Sequence, residues 1–219
     1  MASTLRLLPS TTCRRLLPSY LPRPLVHPFR GMTTSAISRQ SQPQTQSDPS
    51  NGGSAKDPSH PYLHYHPTST HTVLSFLPRP PVGRSRTALG YLPLGDAGLD
   101  DFREEPAFKE ILDQAIKSGL EQGKSQSVTF EAETRPGDGW IHITDERAIP
   151  PAGRIGETED LIGSVYVQDG KIVASTYSPL PTYRLVTTNG VLTLPRGLDQ
   201  HLVEVLEAID AEERGEKSL

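Results

Sequence analysis

Residues 160–177 read DLIGSVYVQ, then Asp169-Gly170, then KIVASTY, two β-rich runs on either side of a two-residue turn. An Asp-Gly pair in that setting is a strong hairpin signal, because a type I′ turn needs left-handed backbone at both central residues. It commits this part of the chain to antiparallel pairing. A second signal follows at once in TYRLVTT, Asn189-Gly190 and VLTLP. Ahead of them, WIHIT (140–144) alternates Trp140, His142 and Thr144 with Ile141 and Ile143, so the isoleucines face the core and His142 faces out. THTVLSFLP (70–78) and TALGYLPL (87–94) add strand signals, and VTFEAET (128–134) reads as a strand or part of a loop.

Two stretches change period. In DDFREEPAFKEILDQAIKSGLEQGK, Phe108, Ile111, Leu112, Ala115, Ile116 and Leu120 fall at helical spacing. Asp100 or Asp101 is the expected cap, Glu104 and Glu105 suit the positive end, and Gly123-Lys124 suits the exit. Near the C-terminus, Leu198, Leu202, Val205, Leu206 and Ile209 mark a helix of about four turns. These elements predict a single α+β domain over residues 71–214, with a small antiparallel sheet of two hairpins packed by one helix before it and one C-terminal helix. Residues 215–219 are expected to be a frayed tail.

The N-terminal third reads differently. Of the 21 prolines, 14 precede residue 100, and apolar residues make up only 34% of the chain. Residues 1–39 contain Arg6, Arg14, Arg15, Arg23, Arg30 and Arg39, many Ser, Thr and Leu, and no acid. That composition predicts a mitochondrial transit peptide, and RGMTTSAISR (30–39) resembles a matrix-protease processing site with Arg30 two residues before the cut. Residues 40–70, rich in Gln, Ser, Pro and Gly, predict a disordered linker. With six of 22 basic residues in the leader and all 26 acids beyond it, residues 40–219 carry 16 basic against 26 acidic side chains, a formal −10. An acidic body argues against a nucleic-acid partner, since that affinity rests on phosphates neutralised by Lys and Arg. No stretch approaches the ~18 consecutive apolar residues of a membrane span.

Several residue groups invite chemistry. His60, His64, His66 and His71 lie close in sequence, but without thiolates and with only Asp57 nearby they are not expected to hold a metal. Arg79, Arg84 and Arg86 could touch an anion or simply be solvated. His201, early in the last helix, reads as a packing residue. No glycine-rich phosphate loop, GxSxG, HExxH or CxxC occurs, so no cofactor is expected. The densest polar group is in WIHITDERAIPPAGR: His142 as a general base, Asp145 as its orienting carboxylate, and Arg147 or Arg154 as an anion clamp, with Arg184 a further anion-binding candidate. The competing reading makes Asp145 a turn cap, pairs Arg147 with Asp160 or Glu159, and leaves His142 as a half-exposed sheet residue. In STYSPLPTYR, Tyr177 and Tyr183 are candidates for a partner-binding surface, because aromatics beside proline offer area at small entropy cost.

The block from Trp140 to Leu198, with H-x-x-D-x-R, then P-x-x-G-R-I, D-x-I-G-S-V and T-Y-x-P-x-P-T-Y-R, resembles one found in a group of small, mostly fungal proteins of unknown activity. The resemblance implies one coherent domain in a fungal mitochondrial setting and carries no catalytic or binding residues with it. Together these features predict a soluble matrix protein that serves as an accessory or assembly factor by binding another mitochondrial protein. The alternatives are a small hydrolase or lyase using His142 and Asp145, or a carboxylate- or phosphate-binding module.

Overall fold

A computed structural model describes residues 53–151, 154 and 156–215. The expected leader, the first part of the expected linker, and residues 216–219 lie outside the described residues. The fold is α+β with antiparallel pairing throughout, as the turn chemistry predicts, but its strands divide among three sheets.

The first sheet has five strands in sequence order: β1 (Ala55–Lys56), β2 (His64–Pro67), β3 (His71–Ser75), β4 (Ala88–Pro93) and β5 (Arg103–Glu104). Two of them lie in the segment expected to be a linker, so that expectation fails from residue 55 to 70. The segment is held without an aliphatic run. Leu63 is buried, β2 pairs along its length with β3, and Tyr65 donates its hydroxyl to Asp57 at 2.9 Å. His60 accepts from the amides of Tyr62 and Leu63 through Nδ1, so Nε2 is the protonated nitrogen, and it donates to the Leu192 carbonyl at 2.9 Å. Composition scales overlook this kind of anchoring, in which imidazole and phenol do the work of aliphatics.

After a short 3-10 turn at Leu99–Asp101, α1 (Pro106–Glu121) begins with proline in its first turn, where the missing N–H costs nothing. The expected cap is corrected. Asp101 closes the preceding turn on the Gly98 amide at 2.9 Å, the chain then extends through β5, and Glu105 occupies the N-cap position. All six predicted apolar positions of α1 are buried. It ends at Gly123 (φ +62°), with the Lys124 amide reaching back to the Gly119 carbonyl and the Gly123 amide to Leu120, the paired bonds of a Schellman ending.

Next comes α2 (Gln126–Thr134), over residues read as strand or loop. Ser125 caps it by accepting from the Val128 amide, and Val128 and Ala132, one turn apart, face the core. The β-branched residues Val128, Thr129 and Thr134 masked that signal. The second sheet is β6 (Gly139–Thr144), β7 (Leu161–Gln168) and β8 (Lys171–Pro179), in that order. Asp169 (φ +49°) and Gly170 (φ +71°) are both left-handed, as the hairpin requires. The second hairpin forms a separate two-stranded ribbon of β9 (Val186–Thr187) and β10 (Gly190–Val191). Since Thr187 pairs with Gly190, its turn is Thr188-Asn189, one residue earlier than expected.

The chain then enters α3 (Leu198–Glu213), which packs on α1. At the crossing, Gly119 leaves room for Leu198 and His201, and the Ser118 hydroxyl lies 2.8 Å from His201 Nε2. One continuous core joins Leu74 and Leu89 of the first sheet, α1, the inner face of the second sheet through Ile141, Ile143, Val165 and Val167, and Leu202 and Leu206 of α3. None of the helices formed by the described residues is long and apolar enough to cross a membrane.

Candidate functional site

Strand β6 ends at Thr144, and the next residue turns inward. Asp145 is wholly buried, caps the 3-10 turn Glu146–Ala148, and accepts three hydrogen bonds: the Arg147 and Thr193 amides at Oδ1, both at 2.9 Å, and the Tyr183 hydroxyl at Oδ2, at 2.8 Å. Arg147, whose side chain is 2% exposed, donates Nε to Asp160 Oδ1 at 2.8 Å with Asp145 Oδ2 at 3.4 Å. Its Nη1 donates to the carbonyls of Leu185 and Gly190, and its Nη2 to those of Glu159 and Arg184. The guanidinium carbon sits 5.4 Å from the centre of the Tyr183 ring. Asp160 Oδ2 accepts from Asn189. One side chain thereby ties together the end of β6, the approach to β7, the Pro181–Leu185 loop and the β9–β10 ribbon.

Electrostatics follow from this closure. Burial pushes the Asp145 carboxyl up, while Arg147 and the three hydrogen bonds pull it back. Burial, reinforced by the Asp145 charge, drives the Tyr183 hydroxyl well above its usual value, so it remains a neutral donor. Every donor of Arg147 is committed to protein acceptors. The arrangement can fix four chain segments; it has no group left to grip a ligand.

The predicted trio therefore does not assemble into a reacting site. His142 projects from the opposite face of β6, exposed, with Nδ1 2.8 Å from the hydroxyl of its cross-strand neighbour Ser164. It is not joined to Asp145. Arg147 is no anion clamp, because it is buried and fully engaged. Arg154 is exposed and apart from the cluster, its amide bonded to the Pro151 carbonyl. Arg184 is 64% exposed, 4.0 Å from Glu159, beside a polar cleft of about 690 Å³ where Arg103, Lys109 and Arg184 are balanced by Asp100, Glu104 and Glu159. Neither tyrosine offers a contact surface as expected: Tyr183 is buried, and Tyr177, half-buried, donates to Asp113 on α1 at 3.2 Å. The competing reading of Asp145, Arg147 and Asp160 describes their geometry.

Several of the arginines and histidines nearer the N-terminus are tied to neighbours. Arg84 pairs with Glu105, and Arg86 with Glu213 and Glu212. Among the described residues no group of His, Cys, Asp and Glu side chains could hold a metal ion. His201 is buried against Ser118.

A different surface stands out. On the outer face of β6–β7–β8, Trp140 is 52% exposed and meets Tyr166 edge to face, with ring centres 5.6 Å apart. Register extends the row to Val173 and sets His142, Ser164 and Ser178 beside it. The other face of this sheet lies in the core, with α1 and α2 packed on β8. Alternation had put Trp140 and His142 on the outer face; the pairing of Trp140 with Tyr166, which makes a platform of them, needs the strand register. The chain matches no family model, no curated protein and no solved structure. Its function has to be argued from this geometry alone.

Proposed function

We propose that the protein is a mitochondrial matrix accessory or assembly factor that binds another protein through the outer face of β6–β7–β8. The observation that carries this reading is the half-exposed Trp140–Tyr166 pair on a sheet face over which no element of the described residues packs, while the densest polar cluster spends its groups internally. Large aromatics in a setting of short polar side chains are the residue types that dominate protein interfaces. The arginine-rich, acid-free leader and the fungal-type block support the matrix setting. The formal −10 of residues 40–219 favours a partner with a basic rim around its contact patch and disfavours nucleic acid.

Affinity purification from mitochondria tests it. A stoichiometric protein partner is expected with the wild type and is lost with Trp140→Ser combined with Tyr166→Ala; a protein that runs alone, or a partner that survives both substitutions, overturns the reading. The hydrolase alternative makes a separate demand, that His142→Ala abolish function while leaving the fold intact. Since His142 and Asp145 are not joined but His142 lies on the proposed binding face, His142→Ala is expected to weaken partner capture in part without abolishing function.

A further inference from the structure

The outer face of the first sheet carries a groove of another character. Cross-strand pairing sets His71 beside Pro93, Val73 beside Tyr91, and Tyr91 beside Arg103, so these side chains share one surface. The chain around Pro81 and Arg84 borders it, and Thr68, Ser69 and Thr70 complete the rim of a cavity of about 880 Å³. That is within the range of small-molecule sites. Its floor is Val73, Tyr91 and Pro93.

The groove brings two arginines together on an acidic molecule, with Asp101 and the Glu105 carboxylate as their counter-charges. Arg84 and Arg103 line it with a single carboxylate, Asp101, whose Oδ2 is already bonded to the Gly98 amide. Arg84 is anchored through Nε to Glu105 at 3.1 Å, and the same carboxylate oxygen accepts from Tyr91. Glu105 is itself buried, while the Arg84 side chain is 80% exposed, so the guanidinium is tied at its inner edge and open to solvent beyond it. Among the described residues the terminal nitrogens of Arg84 and the whole guanidinium of Arg103 make no hydrogen bond or ion pair. An anchored arginine with its outer edge free suits a carboxylate, which takes two parallel N–H bonds.

We propose that this groove binds an amphipathic organic carboxylate, its head held by Arg84 and Arg103 and its apolar body laid over Val73, Tyr91 and Pro93. The site is separate in residues and in ligand from the proposed protein-binding face. Calorimetric titration of the purified full chain with octanoate tests it, with 1-octanol and inorganic phosphate as comparators. Octanoate binds one to one with a Kd below about 1 mM, and both octanol, which lacks the charge, and phosphate, which lacks the apolar body, bind at least about tenfold more weakly. Arg103→Gln, which removes no contact among the described residues, weakens octanoate by about tenfold or more, the loss expected for a charge-assisted hydrogen bond. Arg84→Gln does the same, and amide shifts on titration centre on Val73 and Tyr91. Octanoate affinity within twofold of wild type in Arg103→Gln, octanol or phosphate binding as tightly as octanoate, or no heat of binding at about 10 mM overturns the proposal.

Discussion

Replacing Arg147 with methionine keeps an unbranched stem out to about the position of Nε and removes the charge and every donor. Asp145 and Asp160 would then sit buried without their shared cation, and four carbonyls would lose a partner. Breaking a buried ion pair on one side costs about 3–5 kcal/mol. Denaturant unfolding of Arg147→Met should show a loss of that size, and Arg147→Lys should recover only part of it, because a lysine cannot reach acceptors in several directions at once. A second residue-scale expectation concerns pH. Burial, joined by Asp57, pushes the Tyr65 hydroxyl up to about 12, and burial also raises Tyr177 and Tyr183. The folded state thus holds these protons more tightly than the unfolded chain, whose tyrosines release them near 10. The stability they contribute is complete below pH 10 and falls as pH rises from there through 12. Urea midpoints between pH 9 and 11.5 should decline steadily above 10, and tyrosinate absorbance of the folded protein should lag behind that of the unfolded one. Sequence picked out Asp145 and Arg147 but could not choose between their roles, since a buried, engaged arginine and an exposed, waiting one are spelled the same way.

Among elements, the most demanding position is the entry to α3. Gly197 has φ +92°, and a side chain there would collide with the Lys124 carbonyl oxygen at the start of α2. Gly197→Ala should therefore destabilise by at least about 2 kcal/mol, combining left-handed strain with a displaced backbone, as read by thermal or denaturant unfolding. Elements with a strong local rule were legible: the Asp169-Gly170 hairpin, the apolar stripe of α1, and the inward Ile141 and Ile143 of β6. The failures have one cause in common. Strands β1 and β2 and helix α2 are short and depend on packing against other elements, so their local residue preferences carry little of their stability. Strand β2 pairs with β3 across a short turn, the segment before it is anchored through His60 to the Leu192 carbonyl, and α2 packs on β8.

For the molecule as a whole, the strands before residue 71 are part of the fold. A chain shortened to begin at residue 71 exposes the open edge of β3 and removes Leu63 and the His60 ring that stacks on Phe76. It should melt far below the full chain or fail to fold, as circular dichroism on heating would show. Trp140→Ser gives the opposite pattern. With the ring half-exposed, it should change stability by no more than about 1 kcal/mol, the Tyr166 contact included, while partner capture is lost. Finally, the bonds that close the N-terminal part of the fold reach almost to its far end: His60 to Leu192, Tyr62 to Asp199, Ser85 and Arg86 to Glu213, and Arg214 to the Pro80 carbonyl. A chain emerging N-terminus first from a ribosome or a translocation pore can pair β2, β3 and β4 early, yet it must hold that sheet half-covered until α3 arrives. Such long-range closure makes for slow folding with an apolar surface open in the interval, and that interval ends only when α3 docks.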